Sequence, residues 1–248
     1  RGVRSVGSKT CNGSESTGVI PFMKVVDAEM LAFSQVVSRR GSYAAYLDIS
    51  NPEIEEFLDV RKPTGGDINR KSTNLHHGVV ISDEFMVLIE NATRTPGFDD
   101  SWNLIDPHSG NIVKTVSAKA LWVKLIQNRV ETGEPYIMFG DTVDESVPEY
   151  QREMGLKVHQ SNLCSEITLP TDKDRTAVCC LSSVNLEEFD EWKYDDQFIP
   201  DLIRMLDNVL ENFIKNAPDQ LSRAKYSAMR ERSLGLGAMG FYAYLQRH

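Results

Sequence analysis

The sequence lacks any run of about 18 apolar residues, the length a membrane-spanning helix needs, so it predicts no transmembrane segment. It also lacks a surplus of positive charge: 27 Lys and Arg stand against 36 Asp and Glu, a net charge of −9. A surface of that sign repels a polyanion, which excludes nucleic acid as the expected partner but leaves room for a local basic pocket that takes one small phosphate ligand. Four cysteines in 248 residues are too few for a disulfide scaffold. No CxxC pair occurs, and His159, five residues before Cys164, gives no recognised ligand spacing, so no metal site is expected. A secretory signal, an internal repeat and a Pro/Gly-rich linker are missing too. These absences predict an intracellular, cytoplasmic protein. The chain opens on Arg1 rather than Met and stops at His248 inside a helical pattern, which reads as a piece of a longer protein cut at both ends.

What is there is a globular composition, 41% hydrophobic and 25% charged, sufficient for the core of one large or two small domains. Val26, Met30, Phe33 and Val37 share one helical face, which Arg39, Arg40 and Gly41 end. Tyr43 to Ile49 reads as a buried strand, and Pro52 to Val60 as a helix with Asn51 as its cap. His77 to Ile81 reads as a strand, with His76 and His77 at its end rather than acting as ligands, and Asp83 to Asn91 as a helix. Leu121, Trp122, Leu125, Ile126 and Val130 line a helix that Gly133 closes, ahead of a strand from Pro135 to Phe139. Leu202, Leu206, Val209 and Phe213 mark one more helix, with Pro200 in its first turn. Alternating strands and helices predict an α/β sheet or barrel with helices outside it. The polar segment from Gly7 to Ser16 reads as an exposed or ligand-dependent loop.

The most informative stretch is Ser161-Asn162-Leu163-Cys164-Ser165-Glu166-Ile167. In an extended or looped backbone the spacing of two turns Asn162, Cys164 and Glu166 to the same side, which joins an amide, a thiol and a carboxyl. A small buried cysteine flanked by polar turn residues fits the same spacing. Further on, Val178-Cys179-Cys180-Leu181-Ser182-Ser183-Val184-Asn185-Leu186 puts Cys179 at or near a strand end. Adjacent cysteines are poorly placed to join each other, and at least one of them could meet Cys164. Gly235-Leu236-Gly237-Ala238-Met239-Gly240 matches GxGxxG, yet Arg230, Glu231 and Arg232 stand where a dinucleotide fold needs an apolar strand, and the chain ends before an acidic partner about 20 positions on. These glycines are expected to serve the close packing of a turn and a helix.

Together these segments resemble the large (alpha, catalytic) subunit of class I ribonucleotide reductases. Ser161 to Ile167 looks like that family's NLCxEI signature, and Cys179 to Leu186 is similar to its second cysteine segment. Gly18-Val19-Ile20-Pro21-Phe22, Thr132-Gly133-Glu134-Pro135-Tyr136-Ile137 and Arg230-Glu231-Arg232-Ser233-Leu234-Gly235-Leu236-Gly237 follow the family's order and spacing. Leu163 and Ile167 favour class I over cobalamin-dependent class II relatives, which usually carry a proline and a glycine around the equivalent cysteine.

The resemblance implies a ten-stranded α/β barrel with the catalytic cysteine on a loop entering it. Residues 1–248 would be a partial catalytic barrel domain, without the N-terminal regulatory region and the C-terminal part of the barrel. The implied reaction is radical-based reduction of ribonucleoside diphosphates to 2'-deoxyribonucleoside diphosphates. In it Cys164 is the transient thiyl radical, Glu166 the general base for the 3'-hydroxyl, and Asn162 a hydrogen-bonding partner of the sugar. Ser161 and Leu181 would line the substrate pocket. Cys179 would be one of two reductant thiols, the other lying upstream of Arg1, while Cys11 and Cys180 take no catalytic part.

Arg4 with Gly7, and the segment Gln35 to Tyr43 with Arg39 and Arg40, match loops that bind nucleoside triphosphate effectors (ATP, dATP, dTTP, dGTP). Two arginines at a helix C-terminus are also favourable through the helix dipole alone. No cofactor is expected on this chain. The radical would come from a metal-containing small (beta) subunit, thioredoxin or glutaredoxin would reset the thiols, and two large subunits would form a homodimer. A cobalamin-dependent class II reductase, and a non-catalytic nucleotide-binding or dimerisation fragment, are the competing readings.

Overall fold

The computed structural model describes residues 3–33, 38 and 40–248, which fall into two units. The first runs to Met154 and includes Val158–Thr168; the second comprises Gly155–Lys157 and Leu169–His248.

In the first unit the expected alternation is realised. It runs α1 (Val19–Ala32), β1 (Ala44–Asp48), α2 (Ile54–Leu58), β2 (His76–Ile81), α3 (Asp83–Arg94), β3 (Ser101–Ile105), β4 (Ile112–Ser117), α4 (Ala118–Thr132), β5 (Tyr136–Phe139), α5 (Gly140–Ser146) and α6 (Glu149–Glu153). Strands β1, β2 and β5 form a parallel sheet in that spatial order, with Tyr46 opposite Gly78 and Gly78 opposite Tyr136. Central β2 is buried on both faces, which is why His77 to Ile81 reads as a nearly unbroken apolar run. Phe57 and Leu58 of α2, Phe85 and Ile89 of α3, and Leu121 and Leu125 of α4 pack into one core with Val79 and Ile81.

Helix ends follow local chemistry. The Ser82 hydroxyl accepts the Phe85 N–H to cap α3, and Ser117 accepts the Ala120 N–H to cap α4. Helix α4 stops at Gly133, whose φ of 77° is a left-handed conformation that suits glycine.

The buried face of α1 is not the predicted one. Ile20, Met23 and Asp27 point inward, because the Asp27 carboxylate accepts the Leu75 N–H at 2.7 Å, while Phe33 is exposed. The helix ends at Ala32, before the arginines; Val37 and Arg39 lie outside the described residues, and Arg40 is exposed. Gly41 passes so close to α1 that a Cβ there would sit 2.6 Å from the Met30 carbonyl oxygen. The helix expected from Pro52 begins at Ile54, and Asn51 accepts the Glu53 N–H just ahead of it.

Sequence reasoning missed the antiparallel hairpin β3–β4. Trp102 and Leu104 alternate inward on β3, but Ile112 and Val113 of β4 are exposed, so half of the period-two signal is absent.

The second unit runs β6 (Cys180–Asn185), α7 (Phe189–Trp192), α8 (Phe198–Asn216), α9 (Ser222–Glu231), β7 (Leu234–Met239) and α10 (Phe241–Arg247), with β6 and β7 parallel. Leu206 and Leu210 form the buried line of α8; Val209, expected inside, is exposed. The GxGxxG segment is strand β7 as far as Met239, and its last glycine, Gly240, takes a left-handed conformation at the start of α10. Its glycines do serve close approach, since a Cβ on Gly235 would meet Leu181 at 2.4 Å and one on Gly240 would meet Asn185 at 2.4 Å.

Among the described residues seven strands lie in three sheets, and none closes into a barrel. No helix among them is long and apolar enough to cross a membrane.

Candidate functional site

The Cys164 segment is a pinched loop. At its neck the Ser161 hydroxyl donates to the Ile167 carbonyl oxygen at 2.7 Å, and the Asn162 side-chain oxygen accepts the Ile167 N–H at 3.0 Å. A turn follows, in which the Ser165 N–H donates to the Asn162 carbonyl and Ser165 takes φ 65°. A side chain other than glycine or asparagine adopts that left-handed conformation rarely. The alternation that would align Asn162, Cys164 and Glu166 along an extended chain is therefore broken at the turn. Ser161 is buried at the neck, whereas Cys164, a free thiol, and Glu166 are exposed at the tip. Because the Asn162 oxygen is engaged in the neck, hydrogen bonding to a ligand falls to its NH2 group.

Beside the loop stands the sheet row Tyr46–Gly78–Tyr136. The Tyr46 ring covers Gly78 so closely that a Cβ there would lie 2.4 Å from it, and the Tyr46 hydroxyl is 3.0 Å from Ser165 Oγ. Tyr136 stacks on His76 with ring centres 5.9 Å apart. Burial raises the Tyr136 phenol above its ordinary value, and the negative charge of Glu134 adds to the effect.

Glu134 is the buried anchor of this cluster. It receives His76 Nδ1 at 2.5 Å and the His77 N–H at 3.0 Å, with Arg61 3.7 Å away. Burial works to raise its carboxyl, but the His77 ring and N–H, together with His76, outweigh it and hold the group at about 2. His77 Nδ1 itself is 3.5 Å from the carboxylate, so the backbone N–H and His76 are the firm partners. Burial pushes the enclosed His77 ring down, toward the neutral form.

Glu134 has a folded value below its ordinary 4.5, so it contributes stability fully above that pH and loses it as the pH falls toward 2. Glu134→Gln should cost about 3 kcal/mol at neutral pH. It should also flatten this part of the acid limb, as read from urea midpoints between neutral pH and pH 2. A variant with an unchanged midpoint and slope would remove the anchoring role.

A cavity of about 420 Å³ flanks β1, lined by Phe22, Tyr43, Tyr46, Phe57 and by His159 and Gln160, which lead into the cysteine loop. At its edge buried Glu53 accepts the N–H groups of Val6 and Val19 and so ties together the two ends of the polar segment 7–16. That segment is an ordered hairpin with a Lys9–Glu15 bridge, and Ser8 fastens it to Asp106 at 2.7 Å. Arg4, Gly7, Ser8 and Lys9 line a second cavity of about 680 Å³ with Asp106 and His108.

In the second unit Cys179 precedes β6 and is half-buried, its Sγ 3.7 Å from the Cys180 carbonyl oxygen, matching the strand-end expectation. Burial pushes the Cys180 thiol up. Leu181 is half exposed, and the missing side chain at Gly235 leaves room for it and for the Cys179 sulfur. Cys11, Cys164 and Cys180 are free thiols. Among the described residues no group of three or more His, Cys, Asp or Glu is placed to hold a metal ion.

The family model for the ribonucleotide reductase barrel domain matches residues 1–248. The chain belongs to the ribonucleotide reductase barrel-domain family. It is 49% identical over 249 residues to a putative ribonucleoside-diphosphate reductase large subunit of Frog virus 3 (isolate Goorha), covering 99% of this chain and 41% of that protein. It is 44% identical to the ribonucleoside-diphosphate reductase large subunit of Invertebrate iridescent virus 3, covering 94% of this chain and 44% of that one. Among solved structures it matches the class Id ribonucleotide reductase alpha subunit of Actinobacillus ureae with a TM-score of 0.75 and 32% identity, over 96% of this chain and 39% of that one. The chain thus spans well under half the length of these relatives.

On this barrel-domain chain Ser161, Asn162, Cys164 and Glu166 share one loop, Arg4 lines the cavity of the polar hairpin, and Cys179 and Leu181 belong to the second unit. Sequence reasoning missed Tyr46, Gly78, Glu134 and Glu53. Gly78 inside an apolar run carried the one available signal, since glycine in a strand marks the close approach of something else.

Proposed function

We propose that this chain is the catalytic core of a class I ribonucleoside-diphosphate reductase large subunit, forming part of a ten-stranded α/β barrel with the Cys164 loop directed into it. The observation that carries the reading is the pinched loop, which spends Ser161 and Asn162 on its neck and leaves a thiol and a carboxylate open at its tip.

The chemistry needs those groups. Hydroxide leaves an unactivated carbon poorly, whereas a radical on the neighbouring 3' carbon makes the loss feasible. Cys164, as a thiyl radical, takes the 3' hydrogen; Glu166 takes the 3'-hydroxyl proton; Asn162 orients the sugar. One thiol proton leaves with the 2'-hydroxyl as water and the other thiol hydrogen goes to the 2' carbon, while Cys179 and a second cysteine outside this chain give two electrons by closing into a disulfide; Glu166 then returns its proton to the 3' oxygen and Cys164 its hydrogen to the 3' carbon. A metal-containing small subunit supplies the initiating oxidation. Thioredoxin or glutaredoxin reopens the disulfide, nucleoside triphosphate effectors occupy a site that includes Arg4, Arg39 and Arg40, and two large subunits pair.

The test is product formation by the complete large subunit that carries this sequence. With its small subunit, a ribonucleoside diphosphate and a dithiol, it should release the 2'-deoxynucleoside diphosphate, measured by chromatography. Turnover with adenosylcobalamin and no small subunit would place it in class II instead. Nucleotide binding without product under either condition would leave a binding module.

A further inference from the structure

The Cys164 turn carries a left-handed serine, and nothing within the turn itself removes that strain: the Ser165 N–H already satisfies the Asn162 carbonyl, and the φ of 65° remains. What meets Ser165 from outside is Tyr46. Its hydroxyl lies 3.0 Å from Ser165 Oγ, across 119 residues of sequence. The tyrosine ring is set by the sheet, because it packs directly against Gly78, where any Cβ would be 2.4 to 2.9 Å from three ring atoms. Strand β1 and the bare backbone of β2 thus fix the ring, and the ring fixes the turn that bears Cys164.

We propose that Tyr46 is a positioning residue for Cys164, holding the cysteine turn through its hydrogen bond to Ser165 over the glycine platform at Gly78. The proposal rests on the reading of Cys164 as the reacting thiol. This hydrogen bond is exposed and contributes on the order of 1 kcal/mol net, so its loss should change the held population of the turn about fivefold.

The experiment uses the complete large subunit with Tyr46→Phe, Ser165→Ala and the double variant. Two measurements are made: the rate at which iodoacetamide alkylates Cys164, followed by mass spectrometry of its peptide, and steady-state turnover with the small subunit. Cys11, exposed on the polar hairpin, serves as the internal control. Each single variant should alkylate Cys164 about fivefold faster with Cys11 unchanged, and should lower kcat about fivefold with KM moved less than about twofold. The double variant should be no worse than either single one, because both remove the same contact.

Alkylation and kcat within about twofold of the parent in both single variants, additive effects in the double variant, or faster alkylation with unchanged kcat would each overturn the proposal. Faster alkylation of Cys11 in step with Cys164 would do so too, since it reports general loosening. Cys164→Ser, assayed alongside, separates the two levels. If that variant still turns over, the reading of Cys164 has failed, while the alkylation rates continue to judge the Tyr46 contact.

Discussion

A large subunit carrying Cys164→Ser should bind its nucleotide and release no deoxynucleotide, with turnover lower by a factor on the order of 10³ or more. The reason is bond strength. A sulfur–hydrogen bond is close enough to an activated carbon–hydrogen bond for the hydrogen to move both ways, whereas an oxygen–hydrogen bond is far stronger, so a serine cannot be the reversible hydrogen acceptor. The substitution changes one exposed atom on a loop whose neck is held by Ser161, Asn162 and Ile167, so folding and ligand affinity should survive. Product assays and equilibrium nucleotide binding, measured on the same preparation, check the two halves separately. Near-normal turnover would reject the assignment of Cys164.

Much of this architecture is legible in the chain itself, for reasons that differ by element. Helix α4 announces its end, with Gly133 in the left-handed conformation. Strand β2 is readable because a central parallel strand is apolar on both faces. Helix α1 is read one face off, since its inward stripe includes Asp27, a carboxylate whose burial depends on a backbone N–H from Leu75, 48 residues away. No local pattern carries that partner.

The cysteine loop shows the same limit. Its residue types point to the chemistry, but their placement follows from a turn at Ser165, a neck closed by Ile167 and a tyrosine from β1. Gly235 to Gly240 is the converse case. A motif that suggests a phosphate loop is a strand as far as Met239, and Gly235 and Gly240 answer to Leu181 and Asn185 on the neighbouring chain segment.

On the proposed reductant role of Cys179, Cys179→Ser should leave the first radical step possible and remove the electrons that complete the reaction. Loss of a 2'-hydroxyl as water consumes two electrons, and with a single reductant thiol no disulfide can close, so turnover should fall on the order of 10²-fold or more. Cys180 offers no substitute. It is the first residue of β6, whereas Cys179 lies ahead of the strand, so the Cys180 side chain starts from a different backbone position. Its thiol is also pushed up by burial, which keeps it protonated and less apt for disulfide exchange. Cys180→Ser should accordingly retain turnover and serve as the matched control. The decisive measurement is thiol counting after one round without external reductant: the parent should form one disulfide for each product molecule, and Cys179→Ser should form none. A stoichiometric product-linked disulfide in that variant would move the reductant role to another pair.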